Sequence, residues 1–139
     1  SALDFVRSHI YPGIPEYFRS DGRVMYQFLT GAASWFMMTM ITEVFGVRGD
    51  AGDLVLYPKL LSCQFDTEGA ASISIPFAGK NFTVIYKNIN GKDFGEYIID
   101  SASCDRNKIT VNDPSFINIH RKTLTALSDE VHTIIVNLL

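Results

Sequence analysis

No part of this sequence is apolar for long enough to cross a membrane. Its most apolar run, Trp35 to Val47, is broken by Thr39, Thr42 and Glu43, and a span needs about 20 residues. Cysteine is scarce: Cys63 and Cys104 lie in unrelated segments, set no disulfide framework, and are expected as reduced thiols. The histidines His9, His120 and His132 have no metal-ligand spacing with each other or with cysteine, so no metal site is expected. Basic runs are missing too. The net charge is −3 and Arg121-Lys122 is the only adjacent basic pair, which gives no electrostatic case for nucleic acid. With no apolar leader, repeat or low-complexity segment, the expectation is a cytoplasmic protein without membrane contact.

What is present is globular material. The 139 residues are 47% apolar and 19% charged, enough for one domain with a real core. The periodicity changes near residue 50. Before it, Leu3, Val6 and Ile10 follow helical spacing and stop at Tyr11-Pro12-Gly13. An irregular segment with a Ser20-Asp21-Gly22 turn leads to a helix predicted over 31–45 and stopped by Gly46. Trp35, Met38, Thr42 and Phe45 form one face of it, while Phe36, Met37, Met40, Ile41 and Val44 fill most of the rest. A helix apolar nearly all round is expected to be buried, either under the strands of this chain or, the favoured reading, within a larger helical body mostly absent here, with Trp35 and the methionines as packing residues.

After residue 50 the period is two. "ASISIPF" and "NFTVIYK" alternate across a turn at Ala78-Gly79-Lys80, and Asn90-Gly91 marks another turn. Further short strands are predicted around Gly95 to Ile99, Lys108 to Val111, Phe116 to His120 and Val131 to Leu138, with a turn at Asn112-Asp113-Pro114. Leu124 to Leu127 fit one helical turn. Short strands at this spacing predict an antiparallel β-sandwich, so the fold class is α+β.

One absence carries chemistry. The helix opens on Thr30 and Gly31-Ala32-Ala33-Ser34, and no acid occurs before Glu43. Helix N-termini usually attract Asp or Glu, because their first N–H groups lack helical partners and the dipole is positive there. Two readings fit: Thr30 caps the helix and Gly31 fills its first position, or the end is kept neutral to receive an anion. Both can hold together.

The words in this region resemble the C-terminal end of inverting glycoside phosphorylases of the cellobiose and chitobiose phosphorylase family. The matching stretches are Phe28 to Trp35 ("FLTGAASW"), Thr42 to Asp50, Gly52 to Leu60 and Ile75 to Tyr86, so the resemblance covers most of the chain. It implies that residues 1–48 are the last helices and an active-site loop of an (α/α)6 barrel, and that 49–139 are a C-terminal β-sandwich domain. It also implies phosphorolysis of a β-linked disaccharide with inversion, inorganic phosphate being a co-substrate and no cofactor being needed. Thr30 and Gly31 match the family's phosphate-binding Thr-Gly pair. The catalytic acid of the family lies upstream, and none of Asp4, Asp21 or Asp50 stands in a motif that inherits that role. Some members use a Gln in the preceding loop, where this sequence has "IYPGIP" and no Gln.

Other residues are weighed on their own chemistry. Tyr11, Glu16 and Tyr17 lie in the loop before the helix and are candidate sugar contacts, although ordinary turns favour the same residues. Arg19, Arg23 and His120-Arg121-Lys122 read as solvated charges. The expected partners are the remainder of the helical barrel, the disaccharide with phosphate, and a second copy in a homodimer. The alternative is a free-standing interaction or carbohydrate-binding β-sandwich with a helical docking arm. Leu3 to Ile10 begin with no capping residue, which favours the fragment.

Overall fold

The structure, a computed structural model, describes residues 17–21, 23–25 and 30–139. It divides into two units, one ending at Thr39 and the other running from Met40 to Leu139. The early helix expected at Leu3 to Ile10 lies outside the described residues. In the first unit, β1 (Tyr17–Phe18) and β2 (Val24–Met25) form a short antiparallel hairpin, with Tyr17 opposite Met25. Asp21 holds its turn by accepting the Arg23 N–H at 3.1 Å and pairing with Arg19 at 3.2 Å.

The helix differs from expectation in two ways. It is α-helical only over α1 (Thr30–Thr39), and Met40–Val44 form a π-helical turn closed by the Phe45 N–H to the Met40 carbonyl at 2.9 Å. Its apolar residues are not buried either. Trp35 is 71% exposed, and Phe36, Met37 and Met38 are all more than half exposed. Hydrophobicity shows what a helix would bury but not whether its partner is present, and the chain by itself leaves these residues exposed.

Beyond the helix, ladders of alternating residues build two sheets. The smaller contains β3 (Val47–Asp50), β4 (Asp53–Leu56) and β9 (Ile117–Ile119), all antiparallel. The larger has the order β5 (Ala70–Phe77), β6 (Lys80–Lys87), β10 (Val131–Leu138), β7 (Ile99–Cys104), β8 (Asn107–Ile109). A five-residue helix, α2 (Arg121–Thr125), precedes β10. The α+β class is as expected, but the larger sheet is mixed, since β10 runs parallel to β6 and antiparallel to β7. Period-two alternation assigns faces to a strand and says nothing of its neighbour's direction.

The strand predicted at Gly95 to Ile99 is also displaced. That stretch holds a turn, and β7 begins where it was expected to end. β7 reads "IDSASC", whose small Ala102 and Cys104 face the core between β10 and β8, so bulk-based signals miss it. The hairpin of β3 and β4, turning at Ala51-Gly52, is likewise absent from the sequence reading.

Both sheets turn their apolar faces into one core. Leu54, Leu56, Ile117 and Ile119 of the smaller sheet share it with Phe82, Val84, Tyr86, Ile134, Val136 and Leu138 of the larger. Tyr86 is fully buried, and its hydroxyl donates to the Phe45 carbonyl at 2.8 Å, tying the end of the π-helical turn to β6. Burial pushes the Tyr86 phenol far up, so it acts only as a donor. No helix among the described residues is long and apolar enough to cross a membrane.

Gly46 ends the helical segment, as expected, with φ of +66°. Here the chain passes against Tyr57: Gly46 accepts the Tyr57 N–H at 2.8 Å, and Lys59 donates to Val44 at 2.9 Å. A Cβ on Gly46 would lie 1.7 Å from the Tyr57 carbonyl oxygen, whereas one on Gly79, also at positive φ, would meet nothing within 4 Å. Gly79→Ala should thus cost about 1–2 kcal/mol, the left-handed penalty alone, and Gly46→Ala at least about 2 kcal/mol more, through lost hydrogen bonds and displaced backbone. Urea unfolding of the two variants measures the difference, and equal costs would show that the close approach at Gly46 yields freely.

Candidate functional site

The neutral helix start survives in the structure. Thr30 is the first residue of α1 and Gly31, exposed, is the second, and the first turn contains no acid. These two sequence-selected residues are in one turn by chain geometry. Of the loop residues selected with them, Tyr17 lies in β1, while Tyr11 and Glu16 lie outside the described residues. The turn itself carries no acidic side chain at the positive end of the helix dipole.

The unit from Met40 to Leu139 holds two further clusters that sequence reasoning missed. In the first, Asp53 at the start of β4 faces His120 at the end of β9. Asp53 Oδ2 lies 2.8 Å from His120 Nδ1, and Oδ1 accepts the Arg121 N–H at 2.9 Å. The Arg121 amide and then the His120 ring hold the Asp53 carboxyl below its ordinary range. As a carboxylate it accepts only, so His120 donates from Nδ1 and its other nitrogen is left facing solvent. The partners are separated by 67 positions, and only the antiparallel pairing of β4 with β9 joins them, through Leu54 opposite Ile119.

The second cluster is Cys104, Asp105 and His132. Asp105 and Arg106 make the turn between β7 and β8 with φ of +46° and +72°, a tight hairpin without glycine. The Asp105 carboxylate secures it across to β10, accepting the Thr133 N–H at 2.9 Å and meeting His132 Nδ1 at 2.6 Å. His132 is 2% exposed, with Nε2 donating to the Asp129 carbonyl at 2.8 Å. The Thr133 amide and the His132 ring keep Asp105 below the ordinary carboxylate range.

The residue types in this second cluster are those of a thiol nucleophile with its base, but the geometry is not. Cys104 Sγ contacts Asp105 at 3.8 Å rather than the imidazole, and burial with the adjacent negative charge pushes its thiol up to about 11. A reactive cysteine needs the opposite, a thiolate favoured by nearby positive charge. This cluster anchors a strand. Among the described residues, no group of three or more His, Cys, Asp or Glu is arranged to hold a metal.

No known family model matches this chain, and comparison with curated proteins finds no match.

Two measurements test these assignments. Both cysteines are free, Cys63 exposed and Cys104 buried, so a thiol reagent should titrate one group rapidly in the native protein and two after unfolding. Rapid native reaction of both would contradict the burial of Cys104. Asp53 and Asp105 are depressed in the folded state, so the unfolded chain binds more protons at acid pH. Their contribution is complete above the ordinary carboxylate pKa and is lost as pH falls through the folded values. The urea midpoint should therefore fall as the pH drops below about 4, and Asp105→Asn should make that fall shallower. An unchanged slope would remove Asp105 from the account.

Proposed function

We propose that this chain is the C-terminal part of an inverting glycoside phosphorylase of the cellobiose and chitobiose phosphorylase group. In this reading residues 1–48 complete an (α/α)6 barrel and 49–139 form its C-terminal β-sandwich domain. The observation that carries it is the start of α1: Thr30 and Gly31 open a helix with no acid in its first turn, inside the word Phe28 to Trp35. The exposed Trp35, Phe36 and Met37 add support, since a helix carrying such residues is suited to a larger helical body. In the absence of that body, the same residues favour association of two copies. The enzyme works in the cytoplasm.

The chemistry follows from the roles available. A carboxylic acid from the upstream barrel protonates the glycosidic oxygen as the C1–O bond breaks. A phosphate oxygen attacks C1 from the opposite face and gives the α-sugar 1-phosphate. Phosphate is already a nucleophilic anion, so it needs to be held in line rather than deprotonated. Thr30 supplies a hydroxyl and the turn at Gly31 supplies backbone donors, with no side chain at Gly31 to block the approach.

One feature favours the second reading, a free-standing carbohydrate-binding module. Tyr57, Phe94 and Tyr97 line a slot of about 190 Å³ with Pro58 and Pro114. The Tyr57 and Phe94 rings are 6.1 Å apart at 71°, and Phe94 is 42% exposed. Such faces suit the apolar side of a sugar ring.

In the intact phosphorylase, Thr30→Val should raise the phosphate KM about 10- to 100-fold and leave disaccharide binding nearly unchanged, the loss expected for one charge-assisted hydrogen bond. An unchanged phosphate KM would reduce Thr30 to a helix cap. The isolated 139-residue chain should release no sugar 1-phosphate from cellobiose or chitobiose above a heat-killed control, because it lacks the acid. Release by the chain alone would overturn the assignment of the acid to the missing barrel.

A further inference from the structure

Two depressions meet at His120. One, of about 660 Å³, is walled by Asp53, His120, Arg121, Lys122 and Thr125. The other, of about 430 Å³, is lined by Lys108, Thr110, Asn118, His120 and Thr123 among others. Read as sequence, His120-Arg121-Lys122 is a short run of solvated charge. The fold adds Lys108 from the middle of β8 and Asp53 from β4, and so makes a concave cationic surface out of residues far apart in the chain.

The charges here are not balanced. Asp53 is the only carboxylate that lines either depression, and both of its oxygens are engaged by the Arg121 N–H and His120 Nδ1. Among the described residues Arg121, Lys122 and Lys108 form no ion pair with a carboxylate, as is also true of other cations such as Lys87 and Arg106. His120 is 76% exposed, and with Nδ1 committed to Asp53 it presents Nε2 outward. The Arg121 side chain lies along Gly52: a Cβ at that position would be 3.5 Å from its Cδ and 3.7 Å from Nη1. In a chain of net charge −3, this is a local positive surface with a set geometry.

We propose that this pair of depressions binds a small phosphate monoester. Arg121 and Lys122 supply the donors to the phosphate oxygens. Two cationic side chains lining one depression suit a dianion with three acceptor oxygens better than a monovalent carboxylate. The neighbouring depression, with Asn118, Thr110 and Thr123, offers amide and hydroxyl groups to a hydroxylated organic portion such as a sugar. The site uses only residues of the unit from Met40 to Leu139, so it does not depend on the phosphorylase reading.

The test is a titration of the 139-residue chain followed by NMR shifts of backbone amides, at constant ionic strength, with glucose 1-phosphate, inorganic phosphate and glucose as probes. Glucose 1-phosphate should give saturable shifts at Asn118, Arg121 and Lys122 and bind more tightly than inorganic phosphate, and glucose should give none. Arg121→Ala and Lys122→Gln should each weaken binding about tenfold, with Lys59→Gln unchanged as a control. Arg121 and Lys122 are exposed and Lys59 is half-buried with a surface ion pair, so the variants are expected to fold. Shifts that fail to saturate, that survive Arg121→Ala, or that weaken equally in Lys59→Gln overturn the proposal. So does equal binding of glucose.

Discussion

The strand that arrives last holds the C-terminal unit together. β10 enters between β6 and β7, parallel to one and antiparallel to the other, and without it the two halves of the larger sheet share no hydrogen bonds. Its inward residues Ile134, Val136 and Leu138 are each no more than 2% exposed, so its insertion completes the core as well as the ladder. Closing such a contact across the chain costs more loop entropy than pairing adjacent strands. The compensation is visible at its entry. His132 bonds Asp105 and Asp129, the Asn81 N–H bonds Glu130, and the Asp105 N–H bonds the Thr133 carbonyl at 3.0 Å. The buried, doubly bonded His132 ties this end of β10 to the turn between β7 and β8.

Because β10 and the hydrophobic core occupy the middle, the polar chemistry is displaced to the margins. His120 and Asp53 lie at strand ends beside the smaller sheet, Asp105 lies at a hairpin turn, and the aromatic residues around Phe94 lie in a loop. This distribution follows from the cost of burying an unpaired charge, which leaves turns and edges as the positions where ionic groups remain available. The Asp53–His120 and Asp105–His132 pairs show the same residues in two settings. The first is open on one side and can meet a ligand, while the second is closed by Phe82, whose ring is 5.4 Å from the imidazole.

The sequence made several elements legible because their signals are local. The hairpin of β5 and β6 was read from strict alternation around Ala78-Gly79, and β10 was bounded correctly at Val131 and Leu138. Gly46 was legible as a stop because a left-handed residue at a helix end is nearly always glycine. β7 was misplaced, because its small core residues carry little hydrophobic signal and the preceding Phe94-Gly95-Glu96 turn lies among apolar neighbours. The exposure of Trp35 and Phe36 in the single chain was not legible, since apolar character records a potential contact and not which partner realises it.

The site divides along the same line. Thr30 and Gly31 are adjacent, so helix chemistry alone could select them from the sequence. By itself the sequence determined the α+β class, the alternating faces of β5 and β6, the stop at Gly46 and the acid-free start of α1, all of which depend on residues a few positions apart. The tertiary structure alone decided that β10 runs parallel to β6, that Asp53 meets His120 across 67 positions, and that Arg121, Lys122 and Lys108 border joined depressions. These are contacts between distant segments, and periodicity encodes which way a side chain faces but not which strand will lie beside it.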